Sequence, residues 1–410
     1  MKKKNGFISM TLVYTFLILF MFLMLAILRT YTEKNKYLEA INEQINNDIS
    51  SNKTVRSLIV SKVIDQNMPT SDTNLNYFQI SNGTFGNGNG FFYMDKRKYD
   101  NNYDLLDHTD ENKDANTNRI YYFRGSERKL DGDETNLNNY MLFAGLCFRI
   151  VRTNEDGSIR LIYYGPATNR QCMTNDDLIL YNETNNTTIP AIGKSKFNTS
   201  ASINYQTSPI QGLLDTWYEE NIVQKIDPNI NKYFSNYVSK SAIFCNDKTD
   251  FKARSLVPHF KDETILNIYD DSNIYNSISL NCNSSDSFSG MSKNDATTLL
   301  HPVGLLTAED VALAGGYLTD ENDIYRGGGG GVVNVDYYLY FDFDYWTMSP
   351  YNTNSMIYVN GRDAGEMGTF GTMQAGSPTQ EHYVIPVLSL SPGLSIKSGT
   401  GTYINPFRVF

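Results

Sequence analysis

Residues Asn139 to Tyr164 have the sequence NYMLFAGLCFRIVRTNEDGSIRLIYY. Two runs rich in β-branched and aromatic residues lie on either side of Asp156 and Gly157, a pair that favours a tight turn between strands. We therefore predict a β-hairpin whose first run extends from Asn139 to Arg152.

Outside this hairpin, strands outnumber helices. Valine, tyrosine and phenylalanine alternate with Asn and Asp between Val333 and Tyr345, which predicts a half-buried strand or hairpin. Apolar residues at helical spacing predict a helix over 213–222, and Thr307 is a typical N-cap for another helix. The pattern predicts the α+β class.

The N-terminus contains an uncharged apolar run over residues 7–28, FISMTLVYTFLILFMFLMLAIL, preceded by Lys2, Lys3 and Lys4. As a helix this run would be about 33 Å long, enough to cross a bilayer. Basic residues before a span favour a cytoplasmic N-terminus. We predict a single-pass protein of the cell membrane with a cytoplasmic leader over 1–6 and an extracellular bulk.

Beyond the span, the chain is predicted to form three further regions. Leu38, Ile41, Ile45 and Ile49 recur at helical spacing, so residues 29–67 are interpreted as a helical stalk. Residues 68–135 are rich in Asn, Asp, Gly and Ser and are interpreted as a connecting region with short strands, and residues 136–410 as an external α+β domain.

Composition limits the classes of function. The 410 residues include 35 Lys and Arg against 45 Asp and Glu, a net charge of -10, which argues against nucleic acid as a partner. Only 4 His and 4 Cys are present, which disfavours histidine-based catalysis and multi-cysteine metal sites.

The four cysteines are Cys147, Cys172, Cys245 and Cys282. In an extracellular domain they can form disulfides, with three possible connectivities. The sequential pairing would stabilise the fold by about 3–4 kcal/mol per bridge. Isolated buried thiols are the alternative.

A calcium site is a candidate at Asp110, Asn112 and Asp114, which place oxygen ligands at alternate positions. The segment has Ala115 where such loops have Gly, and Tyr121 where they have the closing Glu. A solvated polar loop is the alternative, and no other cofactor is predicted.

A ligand surface is predicted around Tyr338, Tyr340, Asp342, Asp344 and Trp346. The two Asp would project from one strand face, beside aromatic rings suited to stacking on sugars. The alternatives are that the aromatic residues fill the core, or that the carboxylates act as acid and base on a glycoside.

The leader resembles that of type IV prepilins, because Gly6 and Phe7 stand between basic residues and an apolar helix. The resemblance implies cleavage after Gly6. Thr11 stands where that family has a Glu, and a plain signal anchor is the alternative interpretation.

Several blocks between 139 and 409 resemble uncharacterised surface proteins of low-GC Gram-positive bacteria. The blocks include LHPVGLLT (300–307), YWTMSP (345–350) and VIPVLSL (384–390). The resemblance implies a C-terminal domain related to C-type-lectin-like folds and to formylglycine-generating enzymes, and implies no established activity.

These observations lead to three hypotheses of function. The first is a non-catalytic, membrane-anchored recognition or adhesion protein that binds a glycan or a protein ligand. The alternatives are a pilin-like subunit of a surface filament and a glycan-acting hydrolase.

Overall fold

A computed structural model describes residues 58–67, 70–71, 90–95, 119–126, 137–154, 156–228, 231–246, 280, 282, 286–291, 297–316, 337–361 and 371–409, together with Met21 and Met24. The chain divides into two compact units, Met1–Val55 and Arg56–Phe410. All helices and strands named below belong to the second unit.

The helices are α1 (Leu58–Asn67), α2 (Asn175–Asn185), α3 (Pro209–Tyr218), which continues as a π-helical turn (Glu219–Val223), and α4 (Ala308–Ala314). The strands are β1 (Thr70–Ser71), β2 (Gly90–Asp95), β3 (Arg119–Arg124), β4 (Tyr140–Phe143), β5 (Leu146–Thr153), β6 (Ile159–Pro166), β7 (Lys194–Lys196), β8 (Ile226–Asp227), β9 (Lys232–Tyr233), β10 (Phe244–Cys245), β11 (Ser287–Ser289), β12 (Thr297–Thr298), β13 (Tyr345–Asn352), β14 (Ser355–Val359), β15 (Met373–Gly376), β16 (Glu381–Tyr383), β17 (Val387–Leu390) and β18 (Phe407–Arg408).

Strands dominate and helices are few, which confirms the α+β prediction. The first sheet has the order β1-β2-β3-β5-β4-β18, with β6 also paired to β5, and β17 paired to β6. The predicted hairpin is its centre, because β5 and β6 pair in antiparallel register around the Asp156–Gly157 turn. Strands β2 and β3, from the predicted connecting region, extend the same sheet.

The first run of the hairpin is two strands, not one. Ala144 and Gly145 have φ values of 53° and 79°, and two consecutive residues of positive φ form the tight turn that joins β4 to β5. The prediction missed this turn because the apolar run is continuous in sequence, whereas the reversal depends on the backbone conformation of two small residues.

The second sheet has the order β15-β14-β13-β16-β7. Its strand β13 begins only at Tyr345, so the strand predicted from Val333 is wrong over residues 337–344. Tyr337, Tyr338, Leu339 and Tyr340 are all buried. The segment forms a buried turn in which the Tyr340 N–H donates to the Tyr337 carbonyl.

Helix α4 contacts β3 and β5 of the first sheet and β13 of the second. As predicted, Thr307 is its N-cap, and a capping box forms with Asp310. The Asp310 carboxylate also lies 2.5 Å from Arg152 Nε and 3.1 Å from Arg160 Nη1, with all three side chains buried. We call Arg152, Asp310 and Arg160 the buried triad.

Charge pairing governs the protonation of this triad. Burial alone would raise the pKa of Asp310, but the positive charges of Arg152 and Arg160, with hydrogen bonds from Arg152 and Thr307, outweigh burial and lower it. Asp310 is therefore ionised, and it ties α4 to two strands of the first sheet.

Two disulfides form, and they have the sequential connectivity. The first disulfide joins Cys147 to Cys172, and the second joins Cys245 to Cys282. The alternative of isolated thiols is therefore wrong. The first disulfide is buried and connects β5 to the segment before α2, whereas both cysteines of the second are half-buried.

The predicted leader (1–6) and the membrane span (7–28) lie outside the described residues, except that Met21 and Met24 are helical. Within the ranges described above, no helix combines the length and apolar character needed to cross a membrane. The candidate cleavage site at Gly6 and Phe7, and the candidate calcium ligands Asp110, Asn112 and Asp114, also lie outside the described residues.

Candidate functional site

The fold separates the residues of the predicted ligand surface, because the aromatic residues are buried and the two carboxylates are partly exposed. Tyr338, Tyr340 and Trp346 are 0%, 4% and 1% exposed, so these rings do not present a stacking surface to solvent. Arg149 lies over the rings of Tyr140 and Tyr338, at 3.8 and 5.1 Å from their centroids. Tyr338 therefore packs around a buried cation in the core, which is the alternative that the sequence left open.

The two predicted carboxylates are both partly exposed but have different surroundings. Asp342 Oδ1 accepts a hydrogen bond from the Tyr340 hydroxyl at 3.1 Å. Asp344 Oδ1 accepts a hydrogen bond from the Gly361 N–H at 2.7 Å, and its Oδ2 lies 3.4 Å from His382 Nδ1. Because neither residue lies in a strand, the expected arrangement of both on one strand face is wrong.

Asp344 and His382 come together because β13 and β16 are neighbours in the second sheet. Tyr345 pairs with Tyr383 in parallel register, which places the residue before β13 beside the middle of β16. Gly361 completes the contact from the end of β14. A Cβ at Gly361 would lie 2.3 Å from the backbone of Phe343, so only glycine allows this close approach.

Two aromatic rings enclose His382. The Tyr358 ring stacks on the imidazole at 4.2 Å between centroids, and the Trp346 ring meets it edge-on at 4.4 Å. Trp346 is itself fixed, since its Nε1–H donates to the Ser195 carbonyl of β7 at 2.8 Å. The imidazole is thus held by two rings and faces a carboxylate.

The geometry defines what each atom can do. A proton on His382 Nδ1 faces Asp344, which leaves Nε2 with the lone pair in the neutral ring. Nε2 is buried and has no hydrogen-bond partner among the described residues, so no described Ser, Thr or Cys is placed as its nucleophile. The Asp344 side chain is 26% exposed and can accept a hydrogen bond from outside.

We call Asp344, Trp346, Tyr358 and His382 the Asp344 cluster. Sequence reasoning found Asp344 and Trp346 but missed Tyr358 and His382. Neither missed residue lies in a motif, and both join the cluster only through strand pairing. The rarity of histidine, with 4 in the chain, was the one available signal.

Metal binding has little support in the described part of the chain, where no group of three or more His, Cys, Asp and Glu side chains is close enough to hold an ion. The candidate calcium segment lies outside that part, so the calcium hypothesis stays a prediction.

Comparison with known proteins gives no further assignment for the Asp344 cluster or for the fold around it. The chain matches no protein-family profile, no curated protein and no solved structure.

Proposed function

We propose that this chain is a membrane-anchored recognition protein of the cell surface, and that its ligand binds at the Asp344 cluster. The apolar run over 7–28, preceded by lysines, supports the anchor. The two disulfides support an extracellular location, because such bridges persist in oxidising compartments.

The observation that carries the proposal is the fixed but accessible Asp344 carboxylate. Its Oδ1 is held by the Gly361 N–H, so the group does not need to be ordered when a ligand binds. The half-buried Tyr358 ring belongs to the same cluster, because it stacks on His382, which faces Asp344. A preorganised acceptor in a cluster with an aromatic ring suits a ligand that carries hydroxyl groups, and we propose a neutral glycan.

Binding is favoured over glycoside hydrolysis by the surroundings of the two carboxylates. A hydrolase needs one carboxyl group as an acid and a second as base or nucleophile on the same sugar. Asp342 is hydrogen-bonded to Tyr340 and Asp344 to Gly361, so different parts of the fold hold the two carboxylates, and we infer that they do not act as a pair on one sugar. We also propose a C-type-lectin-like fold for the C-terminal domain, on the resemblance alone.

A glycan array with the full chain in a non-ionic detergent, with calcium present, tests this function. We expect selective binding that Asp344→Asn weakens about tenfold or more, since a hydrogen bond to a charged group is lost. Asp342→Asn is the matched control, because it removes a carboxylate two residues from Asp344 that is hydrogen-bonded to Tyr340, and it should leave binding unchanged.

The amide of Asp344→Asn can still accept from the Gly361 N–H, so the fold should persist, and an unchanged urea midpoint would verify this. Absence of selective binding by the unmodified chain would refute the recognition function. Equal loss in the Asp342 and Asp344 variants would instead place the ligand elsewhere.

A further inference from the structure

We propose that Arg170 and Arg408 form a binding site for a phosphate group. The site lies between the turn over residues 168–171 and strand β18 at the end of the described chain. It uses none of the residues of the Asp344 cluster and goes beyond the proposed function.

The fold brings Arg408 into contact with Arg170. Arg408 Nη2 donates to the main-chain carbonyl of Arg170 at 3.2 Å, and Nη1 donates to Asn405 Oδ1 at 3.0 Å. Burial, followed by the charge of Arg170, lowers the pKa of Arg408, as expected for two cations in proximity. The Arg408 guanidinium thus lies against the main chain of Arg170, so an anion bound there could meet both arginines.

Among the described residues, the fold provides no anion for this pair. The ion pairs of the described residues involve neither Arg170 nor Arg408. Two arginines without an acidic partner are unexpected in a chain that has 45 acidic residues against 35 basic ones. An external anion would remove the repulsion and gain charge-assisted hydrogen bonds.

Arg170 lies in a tight turn in which two consecutive residues have positive φ. Thr168 and Gln171 exchange two backbone hydrogen bonds of 3.0 Å, and Asn169 and Arg170 between them have φ values of 53° and 63°. Glycine is preferred at the second central position of such a turn, because a Cβ is strained there. Arginine at this position is therefore strained in a way that glycine would not be.

A disulfide, a hydrogen bond and a β-bridge hold the two segments that carry the arginines. The first disulfide fixes Cys172, two residues after Arg170, and the Cys172 N–H donates to the Tyr403 carbonyl at 2.8 Å. Arg408 forms an isolated β-bridge with Ser398, so the two side chains lie on the same face. A preorganised site loses little entropy when it binds a ligand.

Phosphate fits this site better than a single carboxylate. The guanidinium fork matches phosphate oxygens, and two forks can engage separate oxygens of one phosphate. The phosphate can belong to a free phosphomonoester or to the phosphodiester headgroup of a lipid, which the experiment below distinguishes.

The test is calorimetric titration of inorganic phosphate into the full chain in a non-ionic detergent and phosphate-free buffer. We expect saturable binding with a Kd of about 1 mM. Arg170→Gly and Arg408→Gln should each weaken binding about tenfold. Lys397→Gln is the matched control, because Lys397 is exposed and lies one residue from Ser398, on the opposite strand face.

Arg170→Gly also separates binding from folding. Arg170 contributes only its main-chain carbonyl to the described hydrogen bonds, and glycine relieves the turn, so Tm should not fall. Arg170→Gly therefore decides the question even if Arg408→Gln unfolds. Absence of saturable binding by the unmodified chain, or equal weakening by Lys397→Gln, would overturn the proposal.

A second titration uses glycerophosphoglycerol, the deacylated headgroup of phosphatidylglycerol. Tighter binding of this diester than of inorganic phosphate would assign the site to a lipid headgroup. Tighter binding of inorganic phosphate would assign it to a free phosphate. Binding of either probe that is lost in Arg170→Gly supports the site.

Discussion

Replacing Asp310 with Asn removes the negative charge of the buried triad and leaves its two positive charges in place. Asp310 is fully buried, Arg160 is 1% exposed and Arg152 is 8% exposed, so water cannot solvate the unpaired guanidinium groups. Breaking a buried ion pair by removing one partner costs about 3–5 kcal/mol. We expect Asp310→Asn to lower the free energy of unfolding by that amount.

This loss is large on the scale of a folded domain, whose stability is about 5–15 kcal/mol. At roughly 2 °C per kcal/mol for a large domain, Tm should fall by about 6–10 °C. Urea unfolding followed by circular dichroism measures the change in free energy directly, and the same samples give Tm.

The chain contains a matched control at the start of α2. Asp177 has the same position relative to its N-cap Thr174 as Asp310 has to Thr307, and its N–H donates to the Thr174 hydroxyl. Asp177 is exposed, so Asp177→Asn should change stability by no more than about 0.5 kcal/mol. If the two variants differ by less than about 1 kcal/mol, the buried triad does not stabilise the fold as argued.

Three further predictions follow from the same structure. Because the pKa of Asp310 is lowered in the folded state, its contribution to the free energy of unfolding is complete above the unfolded pKa of about 3.9 and is lost as the pH falls below that value. The difference in urea midpoint between the unmodified chain and Asp310→Asn should therefore be constant from pH 5 to 7 and should shrink below pH 4. The first and second disulfides span 25 and 37 residues, so replacing their cysteines with serine should lower the free energy of unfolding by about 3.5 and 3.8 kcal/mol, respectively. Treatment with dithiothreitol followed by mass spectrometry should show that the half-buried second disulfide is reduced first. Simultaneous reduction of both disulfides would contradict this order. Mass spectrometry of the mature N-terminus tests the pilin-like alternative, since a chain that retains residues before Phe7 has not been cleaved after Gly6.

Local sequence patterns were sufficient where neighbouring residues determine the structure. The Asp156–Gly157 turn, the capped start of α4 and the apolar face of α3 were each predicted, because turn chemistry, capping and helical periodicity act over a few residues. The dominance of strands followed from the same signals. The sequential disulfides were one of three open connectivities, and the fold selected among them.

The sequence pattern gave a wrong prediction where a segment is buried on all sides. Tyr337 to Tyr340 were predicted as part of a strand with an outward face, but the segment is a turn enclosed by the core. Alternation of apolar and polar residues indicates a strand only when one face meets solvent. A buried turn can have the same pattern of residues, so the sequence alone could not distinguish a strand from a buried turn.

The amino-acid sequence alone was enough to predict an α+β domain, its main hairpin and two of its helices, because each depends on contacts between residues close in sequence. Tertiary structure alone brought Asp344 to His382, Asp310 to two arginines and Arg170 to Arg408. These pairs are 38 to 238 residues apart, and strand pairing and loop closure determine their distances, which no local pattern encodes.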